Sequence, residues 1–153
     1  MKYIQKNRDE RGCVFCLAAE REDGLDNLVF YRGAGVFMIL NRYPYTSGHI
    51  MCVPYAHVSS LQDLSPEVRS ELMEQVTKAV RVLSEVYTPE GFNVGMNLGD
   101  VAGAGIAGHL HMHIVPRWGG DTSFMSTLGQ TRVLPESLAE TYQRVKEAWA
   151  HNG

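Results

Sequence analysis

From His109 to Pro116 the chain alternates strictly, with His109, His111 and His113 at every second position and Leu110, Met112 and Ile114 between them. A period of two is the period of a β-strand, whose successive side chains point to opposite faces, so the pattern predicts a strand with an apolar face for a core and three imidazoles on the other. Half of the chain's six histidines stand in this row. A solvated polar stripe seldom repeats one titratable residue, so the row reads as a site. Imidazole can be a metal ligand, a proton shuttle or a nucleophile, and the row alone leaves the three open.

The strand needs neighbours, and the rest of the chain supplies them. Asn27 to Arg32 and Val36 to Asn41 are apolar or β-branched runs about the permissive turn Gly33-Ala34-Gly35, which predicts a hairpin. A third strand, His49 to Val53, stops at Pro54, and a fourth spans Phe92 to Asn97. Ser65, Pro66 and Glu67 have the order of an N-cap, a first-turn proline and an acid at the positive helix end. The helix they start runs to about Tyr87, with Val68, Leu72, Val76, Ala79, Val80, Leu83 and Val86 at helical spacing. A second helix is expected near Pro135 to Ala150. No internal repeat is present. The sum is an α+β fold: a mainly antiparallel five-stranded sheet with two helices.

At 153 residues the chain fits a single domain able to bury roughly 70% of its unfolded surface. The core is expected over about 13–120, with a C-terminal extension over 121–153. Seventeen acidic against fourteen basic residues give a net charge of −3, which provides no global field for nucleic acid. The first twelve residues lack the apolar run of a signal peptide, and no stretch has the ~20 apolar residues that span a bilayer. A soluble, cytoplasmic protein without membrane or nucleic-acid partners is expected. Of the three cysteines, Cys52 reads as a buried small hydrophobe. Cys13-Val14-Phe15-Cys16 has the spacing of half a zinc site or of a redox pair.

Immediately before the histidines lies Leu98 to Gly108, a loop with four glycines whose backbone N–H groups can approach an anion closely. With His-x-His-x-His-x-x, apolar at each x, the chain resembles the histidine triad superfamily. Leu40-Asn41-Arg42-Tyr43-Pro44, Ser47-Gly48-His49, Val53-Pro54 and Asn93 to Gly99 support the resemblance, which covers roughly 13–120. Pro116 to Met125 resembles the branch of Fhit-like diadenosine polyphosphate hydrolases and bacterial diadenosine tetraphosphate phosphorylases more than the purine phosphoramidase branch.

The resemblance implies that His111 attacks the α-phosphorus of an adenine nucleotide and forms a covalent nucleotidyl-histidine, which water or phosphate then resolves. It implies that His109 and His113 flank the nucleophile, with His113 on the phosphoryl oxygens, and that His49 lies close by across the sheet. Asn41 matches the residue that holds the ribose hydroxyls, Ile39 and Met51 would line the base pocket, and Asn97 matches a polar residue near the leaving phosphate. Gly105 departs from the family pattern, since many members carry Gln or Ser there; with Ile106 it leaves backbone to face the phosphates. Zinc-containing members imply a structural zinc on Cys13, Cys16, His57 and His109. A catalytic metal on the three triad histidines is the alternative, and it leaves both cysteines without a role.

Diadenosine tetraphosphate phosphorylysis or hydrolysis is the activity this implies. A nucleotide sensor with low turnover and a purine nucleoside phosphoramidase are the alternatives; a zinc-ribbon nucleic-acid binder is opposed by the charge and by the single Cys-x-x-Cys. The resemblance implies a homodimer whose sheet continues across both protomers, and an open five-stranded sheet, which exposes an edge, points the same way. The apolar residues Phe124, Met125, Leu128, Val133, Leu134, Tyr142, Val145 and Trp149 also exceed what a free tail keeps.

Overall fold

A computed structural model describes residues 12–121 and 136–153. Strand β1 (Val29–Arg32) and β2 (Val36–Leu40) form the expected hairpin, followed by β3 (Ile50–Pro54), β4 (Gly91–Gly95) and β5 (Met112–Arg117). All pairings are antiparallel, in the order β1-β2-β3-β5-β4. Three helices are described rather than two: α1 (Val14–Glu20), α2 (Pro66–Tyr87) and α3 (Leu138–His151). Helix α1 escapes the sequence pattern because its seven residues span two turns, too few for a periodic stripe.

Local chemistry sets the ends of the longer helices. The Ser65 hydroxyl accepts the Val68 N–H, Pro66 occupies the first turn, and α2 ends at Thr88 in the left-handed conformation. Ser137 and Glu140 form a reciprocal capping box at the start of α3. The expected start of this helix, Pro135, lies outside the described residues.

Register decides which side chains meet. Met38 pairs with Cys52 and Cys52 with Met112, while Leu40 pairs with Ile50 and Ile50 with Ile114. These residues share the face that α2 covers, where Cys52 lies against the Leu72 carbonyl with no exposed surface. Leu72, Val76, Ala79 and Leu83 complete this layer of the core. The next pairing along, Ile39 with Met51, Met51 with His113 and His113 with Gly95, forms one row on the opposite face, across four strands. β5 begins at Met112, not at His109 as the alternation suggested, because Leu110 turns its N–H to the Val58 carbonyl at 2.7 Å instead of joining the ladder.

The C-terminal apolar residues partly overturn an expectation. Tyr142, Val145 and Trp149 are buried in this chain's own core: the Tyr142 hydroxyl donates to the Val29 carbonyl at 2.8 Å, and Trp149 packs edge-on against Phe30. They are spent on β1 and α2 and offer nothing to a second subunit. Phe124, Met125, Leu128, Val133 and Leu134 lie outside the described residues. No described helix is long and apolar enough to cross a membrane.

Trp149→Ala should therefore cost about 3–5 kcal/mol in urea denaturation, the range for emptying a buried aromatic site. Met73→Ala, at a position 51% exposed on α2, should change stability by less than about 0.5 kcal/mol. Equal effects would contradict the packing of α3 described here.

Candidate active site

A cleft of about 670 Å³ opens on the sheet face that carries the Ile39, Met51 and His113 row. Its floor is that row, one wall is α1 through Val14, Phe15, Leu17 and Ala18, and the other is the glycine-rich loop through Asn97, Gly103, Gly105 and Ile106. Asn41 and His111 complete it. Ile39, Asn41, Met51, Asn97, Gly105, Ile106, His111 and His113, distant in sequence, thus face one space. In the loop, Gly103 has φ of +89°, a conformation that strains any residue with a Cβ, and its carbonyl accepts from Asn97 Nδ2 at 3.3 Å. A Cβ at Gly105 would meet no atom within 4 Å, so the position is open where a side chain would begin.

Hydrogen-bond accounting assigns the histidine tautomers. The His111 Nδ1 lies 2.9 Å from the carbonyl of His109, so Nδ1 carries the proton and Nε2 keeps its lone pair. The Tyr45 N–H donates to His49 Nδ1 at 3.1 Å, which leaves the His49 proton on Nε2. That proton is directed at His113 Nδ1, 2.8 Å away, so His113 carries its own proton on Nε2. Asn41 Oδ1 accepts the Tyr43 N–H at 2.8 Å, which fixes its amide plane beside the cleft.

Burial sets the charge state of this group. It lowers the His111 pKa from its ordinary value, against the opposing pull of the His109 carbonyl. His113 is pushed down to about 4, by burial first and by the neighbouring His111 second. The pair is therefore neutral near pH 7: a lone pair on His111 and a proton on His113.

His49 lies close to the triad across the sheet, as expected, while the His109 ring is turned to the cysteines. His49 is buried behind His113 and does not line the cleft; it acts on it through the 2.8 Å bond. The His109 ring faces Cys13 and does not line the cleft, although it meets the same Phe15 ring of α1 that His111 meets. Leu110, between the two, gives its N–H to Val58 and not to the ladder. What His109 presents to His111 is its backbone carbonyl.

Cys13, Cys16, His57 and His109 bring four ligand atoms to within 4.8 Å of one another. The separations are 3.4 Å from Cys13 Sγ to His109 Nδ1, 3.3 Å from Cys16 Sγ to His57 Nδ1, 3.5 Å from Cys16 Sγ to His109 Nδ1 and 3.2 Å between the two Nδ1 atoms. The edges of a tetrahedral zinc site are about 3.6 Å for S to N and about 3.4 Å for N to N. All three cysteines are free thiols, and His109 Nε2 donates to the Pro54 carbonyl at 2.8 Å, which turns Nδ1 toward the cluster. The donor set and spacing fit a closed four-ligand metal site.

Sequence reasoning missed most of the α1 wall, along with Asn27, Leu28 and Tyr45, whose ring stacks on His49 at 4.9 Å. The apolar residues around Cys13 and Cys16 were a signal for the wall: Val14, Phe15, Leu17 and Ala18 crowd one short segment.

Residues 23–120 match the family model described as HIT domain, and the chain belongs to this family. It is 48% identical over 125 residues to an AP-4-A phosphorylase of Mycobacterium tuberculosis, a match that covers 82% of this chain and 64% of that protein. It is 34% identical over 95 residues to an asymmetrical bis(5'-nucleosyl)-tetraphosphatase of Schizosaccharomyces pombe, covering 62% of this chain and 52% of the relative. The chain thus spans about two thirds or less of these curated relatives. Among solved structures, a Zn-bound histidine triad family protein from Mycobacterium smegmatis superposes with a TM-score of 0.73 at 27% identity, over 93% of this chain and 96% of that one.

Because the folded pKa of His113 lies below the ordinary 6.5, its neutral form stabilises the fold above that pH, and this contribution is lost as pH falls from 6.5 through about 4. An NMR titration should show the His113 ring charging only near pH 4, and His113→Gln should be less acid-sensitive than the parent. Charging near 6.5 would contradict the buried, neutral pair.

Proposed function

We propose that the chain is a nucleotidyl hydrolase or transferase acting on the α-phosphate of adenine dinucleotides, with diadenosine tetraphosphate as substrate and phosphorylysis as its favoured outcome. One observation carries the reading: His111 lines the cleft as a neutral imidazole whose Nδ1 proton is taken up by a backbone carbonyl. That leaves Nε2 as a nucleophile at neutral pH, already oriented. The 48% identity to an AP-4-A phosphorylase supports phosphate as the acceptor.

In this reading the nucleoside lies between α1 and β2, over Ile39 and Met51, with Asn41 on the ribose. Nε2 of His111 bonds to the α-phosphorus as the bond to the bridging oxygen breaks, and ATP departs. The Nε2 proton of His113 and the N–H groups beside Gly105 and Ile106 stabilise the charge on the phosphoryl oxygens. Phosphate then attacks the same phosphorus to give ADP, or water attacks to give AMP, and His111 is regenerated. Asn97, on the loop side of the cleft, is placed for the departing phosphates.

The test is a product analysis with and without inorganic phosphate. ADP plus ATP from diadenosine tetraphosphate identifies a phosphorylase, and AMP plus ATP a hydrolase. Two ADP without phosphate would mean cleavage at the centre of the chain and would contradict attack on the α-phosphorus. His111→Ala should lower turnover by several orders of magnitude and leave AMP binding in place. Asn41→Ala should weaken AMP binding by about 1 kcal/mol, one hydrogen bond to ribose.

We further propose that the cluster of Cys13, Cys16, His57 and His109 holds one structural zinc. Four protein ligands leave no open coordination position, so when bound the ion supplies a cross-link and no Lewis acid. Free cysteines in such a cluster suit a reducing compartment, which supports a cytoplasmic location. Elemental analysis of protein purified without added metal should find about one zinc per chain, the content of one tetrahedral site; its absence would remove this reading.

The proposed assembly is a homodimer of single-domain protomers. Its support is the edge strand β4, which pairs with β5 alone among the described residues and leaves Val94 44% exposed. Light scattering should give about 34 kDa, twice the 17.1 kDa chain. A persistent monomer would overturn it.

A further inference from the structure

Phe15 stands between the two cysteines in sequence and between two histidines in space. Its ring lies 5.4 Å from the His109 ring, at 60°, and 4.9 Å from the His111 ring. It is 2% exposed, yet it lines the cleft together with Val14 and Ala18. The wall against which a nucleoside would pack and the stop behind the nucleophile are thus the same side chain.

What holds that side chain differs at the two ends of α1. At the C-terminal end, Asn27 Nδ2 donates to the Ala18 carbonyl at 3.1 Å, and Arg32 donates to the Ala19 and Arg21 carbonyls, both at 2.6 Å. At the N-terminal end, Cys13 caps the helix without a side-chain hydrogen bond, and the first turn has no acid. Besides the burial of Phe15, the polar tie described between that end and the rest of the fold is the cluster, through Cys13 and Cys16 to His57 and His109. A helix of seven residues has little stability of its own, since isolated helices below roughly 12–15 residues are marginal in water. Thiol-to-imidazole contacts without a cation are weak.

We propose that Phe15 is a positioning residue that couples the Cys13, Cys16, His57 and His109 cluster to nucleotide affinity, so that metal loading orders the α1 wall of the cleft. This rests on the nucleotide and metal readings above. Loading pins the first turn of α1 and seats Phe15 against His111; a purine nucleotide in the cleft packs on that same turn. Each ligand therefore lowers the cost of ordering α1 for the other, and by linkage the two affinities rise by the same factor.

The test is calorimetric. AMP binding is measured on the zinc-loaded protein and on protein stripped with a chelator under reducing conditions, and zinc extraction is timed with and without saturating AMP. Stripping should weaken AMP binding roughly tenfold, within the 5–150-fold range of coupled sites, and AMP should slow zinc extraction. Phe15→Ala should still bind one zinc, but its AMP affinity should respond to stripping by less than about twofold, a coupling below that range; Phe15→Leu should restore part of the response and serves if the alanine variant does not fold. Equal AMP affinity of loaded and stripped protein would overturn the proposal, as would an undiminished response in both variants. Loss of the far-UV circular dichroism on stripping would overturn it too, because the cluster would then hold the whole fold and not α1. A loaded protein that binds no AMP would remove the nucleotide reading and this coupling with it, whereas AMP binding without zinc uptake would remove the metal reading and this coupling and leave the nucleotide reading standing.

Discussion

The carbonyl of Pro54, the last residue of β3, takes the Nε2 proton of His109 at 2.8 Å. That bond fixes the tautomer of His109 and turns Nδ1 toward Cys13 and Cys16. The same residue's carbonyl accepts the Nδ1 proton of His111 at 2.9 Å. One buried residue thus faces the cluster with its ring and His111 with its backbone, so an error in its placement would propagate to both. His109 is 1% exposed, and a mobile His109 would cost both sites their geometry.

Several titratable groups are packed into a low-dielectric region, which would be expensive if they were charged. Burial lowers the pKa of His109, His111 and His113, which keeps these rings neutral near pH 7, and hydrogen bonds chain them to their neighbours. The Tyr45 N–H, His49 and His113 form one such chain, which ends on a proton at the cleft. The His109 carbonyl and His111 form the other, which ends on a lone pair. The proton of His113 and the lone pair of His111 stand side by side, the ring centroids 4.9 Å apart. His113 is held by β5, and the Leu110 N–H to the Val58 carbonyl fixes the chain just before it, which on the proposed mechanism leaves little reorganisation for the reaction.

The strands and both long helices were legible because their signals are local. Alternation named β5, the Gly33-Ala34-Gly35 turn named the hairpin, and the hydroxyl of Ser65 named the start of α2. The residues facing the cleft were legible through the family's motifs, which carry register information that periodicity does not. Three features were not legible. The alternation from His109 to His113 hides a break, since Leu110 bonds to Val58, far away in sequence. Helix α1 is too short to carry a period, and its order comes from contacts to β1, Asn27 and the cluster. The C-terminal apolar residues read as surplus because β1 needs a cover that no sequence pattern announces; Tyr142 and Trp149 supply it.

On the proposed mechanism, the lone pair of His111 attacks phosphorus and stays bonded to it between the two half-reactions. Mass spectrometry tests this most directly, on protein mixed with diadenosine tetraphosphate without phosphate and quenched in alkali, where a phosphorus–nitrogen bond to histidine survives. The account predicts one adenylyl group on the peptide that carries the triad, located on His111 by fragmentation and discharged as ADP when phosphate is added before the quench. An adduct on another residue, or steady turnover with no adduct at any time, would contradict it.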